Sequence, residues 1–384
     1  MSTSVLRFAV LLAICCLLLP ACGDQSSSQT DALYVQGIDQ SAIDSVHQDI
    51  LDGDYGLIDH FLLIRNGETV ADYHYDQDYQ TIAKEHDTTN HQYNYDHPAW
   101  HPYYQNTNLH SLQSVSKSIT SLLLGIAVDE GLISDVDAPV LPFFRDYAID
   151  TTDARKKAMT IEDLLTMQAG LQWDESSSYA DDSNNDCIIM ELSDNWIRYV
   201  LNKPMDTMPG TAFVYNSGAT VLLGKIVGVA TGKRIDEWAE EKLFGPLGIT
   251  EYYWKVTPRG EIDTEGGLYL SVHDLAKIGA LVLQDGQWGG QQVVSREWLA
   301  ASFQPAVRFD EKRGYGYQWW LPSLENGEAK IIAGNGYGGQ YLMLVPDHEM
   351  VVVFNGWNIH ERPEKSSWAV LQDRILPNIR MSAD

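Results

Sequence analysis

Ser114-Val115-Ser116-Lys117-Ser118-Ile119-Thr120-Ser121-Leu122-Leu123-Leu124-Gly125-Ile126-Ala127 is where the period of the chain changes. Val115, Ile119, Leu122, Leu123, Ile126 and Ala127 recur at helical spacing on one face, and Gly131 supplies a stop. The first four residues form an S-x-x-K quartet at the start of this amphipathic helix. Residues three apart share a helix face, so the Ser114 hydroxyl and the Lys117 amine come within reach of each other. A free lysine, with a pKa of about 10.4, is a poor base at neutral pH. Burial disfavours its charged form, and the positive end of the helix dipole pushes the same way. A neutral Lys117 could then take the proton of Ser114.

On the N-terminal side, Phe61-Leu62-Leu63-Ile64, then Arg65-Asn66-Gly67-Glu68, then Thr69 to Tyr75 read as a hairpin turning on Asn66-Gly67. Residues 76–108 are polar and read as a surface insertion. His86, His91, His97 and His101 lie in it without a defensible metal-ligand spacing. On the C-terminal side, Thr160 to Met167 is a short helix with a Thr160/Asp163 capping pair, ended by Gly170. The acidic stretch 174–186, with Asp181, Asp182, Asn184, Asn185 and Asp186, lacks calcium-loop spacing and reads as a solvated loop. Further helices are expected around Leu222 to Ala230 and from Ser271 to Val282. Strands are expected at Gly316 to Leu321, Lys330 to Ala333, Gln340 to Val345 and Met350 to Phe354, and a last helix at Glu364 to Ile375. Strands early, helices in the middle and strands late predict one sheet built from both ends of the chain, with a helical region at about 118–235 inserted between them.

The 384 residues carry 26 Lys+Arg against 53 Asp+Glu, a net charge of -27. Such a field repels a phosphate backbone and anionic lipid, so nucleic acid is not an expected partner. Of the four cysteines, Cys15, Cys16 and Cys22 lie near the start and only Cys187 in the body, which leaves the body without an internal disulfide or a Cys-rich zinc site. Arg7 and the apolar run Phe8 to Leu19 suit a signal peptide at 1–21 and are too short to span a bilayer. Leu19-Pro20-Ala21-Cys22-Gly23 resembles the lipobox of bacterial lipoproteins, which implies a lipid on Cys22, a flexible tether over 22–35 and a folded domain at 36–384. Plain secretion is the alternative.

Two further motifs carry chemistry. Tyr215-Asn216-Ser217-Gly218 precedes a helix, and a tyrosine near a lysine can relay a proton, its intrinsic pKa of about 10 falling beside a cation. Gly336-Tyr337-Gly338-Gly339-Gln340 enters an apolar strand, where glycines allow close approach of a substrate and an exposed N–H could stabilise an oxyanion.

In this order, the three motifs resemble those of the serine β-lactamase-like hydrolases, the group of class C β-lactamases, D-alanyl-D-alanine carboxypeptidases, carboxylesterases and 6-aminohexanoate-dimer hydrolases. The resemblance covers about residues 55 to 360. Met159-Thr160-Ile161-Glu162-Asp163-Leu164-Leu165-Thr166-Met167-Gln168-Ala169-Gly170-Leu171, Phe213 to Gly218, Gly267-Leu268-Tyr269 with Ser271 to Lys277, and Gly334 to Pro346 support it. It implies an α/β (α+β) β-lactamase/transpeptidase-like fold, with an antiparallel sheet flanked by helices and an inserted helical region. It makes Ser114 the nucleophile, Lys117 the base and Tyr215 its assistant, with the backbone N–H groups of Ser114 and Gly339 as the oxyanion hole. The implied reaction runs through an acyl-enzyme and needs no metal or organic cofactor. Asn216, Ser217, Tyr337, Gly338 and Gln340 are substrate-binding candidates. Trp173, Tyr179 and the acidic loop 174–186 join them as a candidate rim of the pocket because they lie between the first two motifs, with a plain surface loop as the alternative.

Two departures from that family pattern narrow the substrate. Gly336-Tyr337 stands where a Lys or His followed by Thr-Gly usually anchors a substrate carboxylate, and the second motif ends in Ser217 rather than Asn. Both favour a small ester or an aminohexanoate-type amide over a penicillin or a D-alanyl peptide. A non-catalytic envelope protein using the cleft to bind a partner is the reading from another class.

Overall fold

The computed structural model describes residues 34–88, 97–99, 101–177, 179, 184–326 and 328–380. The expected signal peptide, Cys22, His91, Asp181 and Asp182 lie outside them.

The expected hairpin is formed by β1 (Ile58–Arg65) and β2 (Glu68–His74). Asn66 and Gly67 between them take φ of 53° and 77°, the left-handed pair that matches a tight turn to the twist of the strands. Six more strands follow late in the chain: β3 (Val307–Arg308), β4 (Gly314–Tyr315), β5 (Trp320–Glu325), β6 (Glu328–Gly336), β7 (Gln340–Val345) and β8 (Met350–Gly356). All join one antiparallel sheet in the order β3-β4-β5-β6-β7-β8-β1-β2, so the sheet is closed from both ends of the chain. The seam is the β8–β1 pair, in which Phe354 faces Phe61 and Val352 faces Leu63.

The unbroken apolar run Phe61-Leu62-Leu63 follows from the position of β1 inside the sheet. Phe61 and Leu63 pack with Ile43, Val46 and Ile50 of α1 (Gln40–Leu51), while Leu62 belongs to the core on the opposite face. A strand covered on both sides has no polar face to alternate with.

That second core holds the inserted helices. The S-x-x-K helix is α2 (Val115–Asp129), and α3 (Ser217–Thr231) packs beside it. The helix α4 (Val272–Leu283) lies against the sheet, where Gly279 comes close to Leu342, Leu344 and Val351. Thr160 and Asp163 cap each other as their spacing predicts. A three-stranded sheet (His110–Ser111, Leu268–Leu270 and Tyr253–Trp254) ties the start of α2 to the chain after residue 262.

Two expectations are corrected. The stretch Glu364 to Ile375 is not a regular α-helix but a series of short turns through Ser367–Ala369, Leu371–Ile375 and Leu376–Asn378. The end of the acidic stretch is not solvated either. Asn185 is fully buried and caps a helix at Asp186–Leu192, and Asp186 pairs with Lys203 and accepts from Tyr199.

Candidate functional site

Ser114 stands at the N-cap of α2, yet its hydroxyl caps nothing. Serine favours this position because its Oγ can accept a helix N–H. Here Lys117 Nζ lies 2.8 Å from that oxygen instead. The preceding residue, Gln113, holds φ at 47°, a strained value for a side chain of its kind, and its amide bonds Ser111 Oγ. The strand β6 runs past so closely that a Cβ on Gly336 would lie 2.4 Å from the Leu112 carbonyl, and one on Gly334 2.9 Å from Val115 Cγ1. Glycine at both positions lets the sheet edge and the start of the helix share one wall.

Tyr215 enters from the start of α3. Its ring stacks on Trp320 with centroids 5.8 Å apart, and Lys117 Nζ lies 5.4 Å from its centroid. The Ser114 hydroxyl lies close enough to the Tyr215 phenol to favour its ionised form. Burial pushes that phenol above its ordinary value, while Lys117 and Ser114 pull it back down. Between these groups opens a cavity of about 190 Å³ lined by Ser114, Tyr179, Tyr215, Glu265, Trp320 and Tyr337, with Gln113, Cys187 and Asn335 completing the wall.

Lys117 is not the uncharged amine that burial alone implies. Its other two donors go to Glu265 Oε2 at 2.9 Å and to the Glu265 carbonyl at 2.7 Å. Burial lowers its pKa, but negative charge on Tyr215, Glu265 and Glu175 outweighs that and holds the amine well above the ordinary lysine range. Burial likewise opposes the charge on Glu265, and the charge and hydrogen bond of Lys117 overcome it, keeping the carboxyl below its usual range. With Lys117 1% and Glu265 7% exposed at the side chain, this is a buried ion pair beneath the serine.

Two acids that sequence reasoning did not single out organise the site. Glu265 sits in Asp263-Thr264-Glu265-Gly266-Gly267, just before the small-sheet strand. An acid followed by two glycines at a strand entrance was the available signal. Glu175 lies two residues after Trp173 and accepts from Trp173 Nε1, Tyr179 Oη and the Ser217 N–H. Burial pushes its carboxyl up to about 7, against the pull of Lys117 and of the Ser217 N–H. Cys187 Sγ lies 3.6 Å from Glu265 Oε1, and burial among carboxylates raises its thiol well above the ordinary value, so it stands there as a neutral thiol.

Of the other sequence-derived candidates, Tyr179 and Tyr337 reach the cavity wall, their rings 5.1 Å apart. Trp173 and Ser217 instead support Glu175, and Asn216 caps α3 by accepting from the Ala219 N–H. Gln340 bonds both the N–H and the carbonyl of Gly356 across the sheet. Gly338 accepts from the Asn358 N–H, and Gly339 faces Asn358, Gly356 and Ser367, so at this hairpin Asn335 and Tyr337 form the wall.

The sequence profile of the beta-lactamase family matches residues 61–370. The chain belongs to this family. Within it, the 6-aminohexanoate-dimer hydrolase of Paenarthrobacter ureafaciens is 29% identical over 298 residues, 72% of this chain and 72% of that protein. Among solved structures, a family VIII carboxylesterase superposes with a TM-score of 0.63 at 16% identity, covering 89% of this chain and 97% of the other. An octameric penicillin-binding protein homologue from Pyrococcus abyssi gives a TM-score of 0.61 at 18% identity over 86% of this chain and 75% of the other. This beta-lactamase-family chain is therefore a hydrolase by family, with an antiparallel sheet flanked by helices as its sequence led us to expect.

Proposed function

We propose that the protein hydrolyses small, uncharged esters or amides through an acyl-enzyme on Ser114. The observation that carries this reading is the non-capping Ser114 hydroxyl, 2.8 Å from Lys117 Nζ and within reach of Tyr215 at the wall of a cavity.

With Lys117 protonated, the proton acceptor in this scheme is the minor phenolate form of Tyr215, because burial keeps most of the phenol protonated and the ammonium beside it offsets that only in part. As the Ser114 oxygen bonds to the carbonyl carbon, its proton passes to Tyr215 Oη and the carbonyl π pair moves to oxygen. Collapse of that oxyanion expels the leaving group, which takes the proton back from Tyr215. Water then repeats the sequence on the acyl-enzyme. The Ser114 N–H is one oxyanion donor, and the second is assigned to the β6–β7 hairpin, where Asn335 and Tyr337 rather than Gly339 line the cavity.

The lining also bears on the substrate. Tyr179, Tyr215, Trp320 and Tyr337 present aromatic faces, no Lys or Arg among the described residues lines the cavity, and Glu265 adds a carboxylate. An apolar acyl group fits that wall, whereas the carboxylate of a penicillin or a D-alanyl peptide finds no free cation there, since the Lys117 charge is already balanced by Glu265. The relative that acts on an aminohexanoate dimer and the carboxylesterase of the same fold support this choice.

A fluorophosphonate probe should label wild-type protein and not Ser114→Ala, and p-nitrophenyl esters of increasing acyl length should be turned over. Rapid nitrocefin hydrolysis with inert esters would replace this reading by the β-lactamase one. Export and lipid attachment at Cys22 belong to the same proposal. Palmitate incorporated by wild type and not by Cys22→Ala checks that part.

A further inference from the structure

A second cavity, of about 740 Å³, opens beside β1, β2 and the start of α4, and its wall carries five imidazoles, of His60, His74, His101, His110 and His273. In the register of the sheet, His60 of β1 stands between Asn355 of β8 and His74 of β2, so the three form one row across adjacent strands. Asp72 lies two residues before His74 on the same face, as the period of a strand requires. From the layer above, His273 is placed by the first turn of α4, whose N-cap is Ser271.

Three of these side chains converge. The Asp72 carboxylate uses one oxygen for each imidazole, with Oδ1 2.6 Å from His60 Nε2 and Oδ2 2.9 Å from His273 Nε2. The His60 and His273 rings lie 5.7 Å apart, and one ligand atom from each of the three residues falls within 4.8 Å of the others. Asn355, 2% exposed and lining the same cavity, has a buried Oδ1 without a hydrogen-bond partner. These histidines are not those that the sequence brought into question. His86 stacks on His360, and His101 packs between Tyr79 and Trp357.

From this geometry we infer that His60, Asp72 and His273 form a binding site for a divalent transition-metal ion of the zinc class, beside a cavity that shares no lining residue with that of Ser114. Two imidazole nitrogens and one carboxylate oxygen are a donor set that suits zinc, with a fourth position left open. Tetrahedral zinc at bond lengths of about 2.0–2.2 Å separates its ligand atoms by roughly 3.3 Å. The His60 Nε2–Asp72 Oδ1 pair therefore parts by less than about 1 Å to admit the ion, and the His273 imidazole turns from Oδ2 to the ion within the 4.8 Å that the three donors span. That movement is small for side chains at the mouth of a cavity, where Asp72 and His273 are exposed. The proton that each Nε2 shares with the carboxylate shifts to Nδ1 or leaves when the lone pair turns to the metal. The open position faces the cavity, and the His74 ring, 5.7 Å from that of His60, is near enough to fill it. Bound there, the ion ties the hairpin β1–β2 to α4.

The test uses the full chain, stripped with a chelator and titrated calorimetrically with zinc alone. One equivalent should bind to wild type and to Ser114→Ala. Asp72→Asn and His273→Ala should each lose more than the roughly 10–100-fold that removing an outer partner of a metal ligand costs. His86→Ala serves as the control for scattered surface histidines and should match wild type. Cobalt should give the intense visible absorption of a low-coordinate site in wild type and not in His273→Ala. Because His273 is exposed, that variant should keep the wild-type circular dichroism spectrum. Weak binding of several equivalents, equal in wild type and in both ligand variants, would overturn the proposal, as would a cobalt spectrum indifferent to His273.

Discussion

The segment from His110 to Ser114 separates two clusters of ionisable groups that obey different rules. Beneath Ser114, Lys117 and Glu265 are almost fully enclosed; Lys117 keeps its charge through Tyr215, Glu265 and Glu175, and Glu265 keeps its own through Lys117. On the side of His110, Asp72 bridges His60 and His273 at the mouth of an open cavity, with the Asp72 side chain 38% and the His273 side chain 58% exposed. The same kinds of atom at the same kind of distance do different work. In the enclosed cluster, losing one partner strands a charge in a medium that cannot solvate it. In the open one, water replaces a lost partner.

The largest expected effect tests whether the enclosed cluster serves chemistry at all. Ser114→Ala should reduce turnover of a chromogenic ester by at least about 10^4-fold with little change in the unfolding midpoint, since its hydroxyl caps no helix N–H. Substantial residual turnover would detach the cavity from the reaction.

Next comes Glu265→Gln. This change leaves the Lys117 ammonium buried without its counter-charge, and breaking a buried pair in this way costs about 3–5 kcal/mol. Denaturant unfolding should show that loss. A cost below about 1 kcal/mol, as at a surface pair, would erase the contrast between the two clusters.

A smaller effect concerns Glu175, whose carboxyl is pushed up to about 7 from an ordinary 4.5. Between those values the folded protein keeps a proton that the unfolded chain releases. The stability contributed by this group is therefore complete at acid pH and is lost as pH rises towards and through 7. Stability of wild type measured against pH should carry this fall, and Glu175→Gln should flatten it. Parallel profiles for the two proteins would show that Glu175 ionises freely in the fold.

Smallest of all, Asp72→Asn in metal-free protein should cost less than about 1 kcal/mol, because its partners are imidazoles at a solvent-accessible rim. A loss as large as that of Glu265→Gln would place the second cluster under the rules of the first.

What was legible in the sequence was local. The Asn66-Gly67 turn, the Thr160/Asp163 cap and the helical period from Val115 are fixed by neighbouring residues, and each is found where its signal lies. Glu175 and Glu265 were not legible as site residues, because an acid in a loop looks solvated until distant helices enclose it. The neutral-amine expectation for Lys117 failed for the same reason. It counted burial, which one helix can suggest, but not the opposite charge brought in by Glu265, 148 positions along the chain. Asn216, Ser217 and Gln340 were expected to bind substrate, and the structure uses them instead to cap α3, to hold Glu175 and to tie Gln340 to Gly356.

By itself, then, the amino-acid order determined the elements, their caps and the three motifs, because hydrogen bonds within a turn and the spacing of apolar residues are short-range properties of a chain. Only the tertiary structure decided which carboxylate faces Lys117 and which imidazoles share Asp72. Those choices depend on how strands from both ends of the chain close into one sheet and on where α4 is laid across it. A charge acquires its proton state from whatever that packing sets beside it.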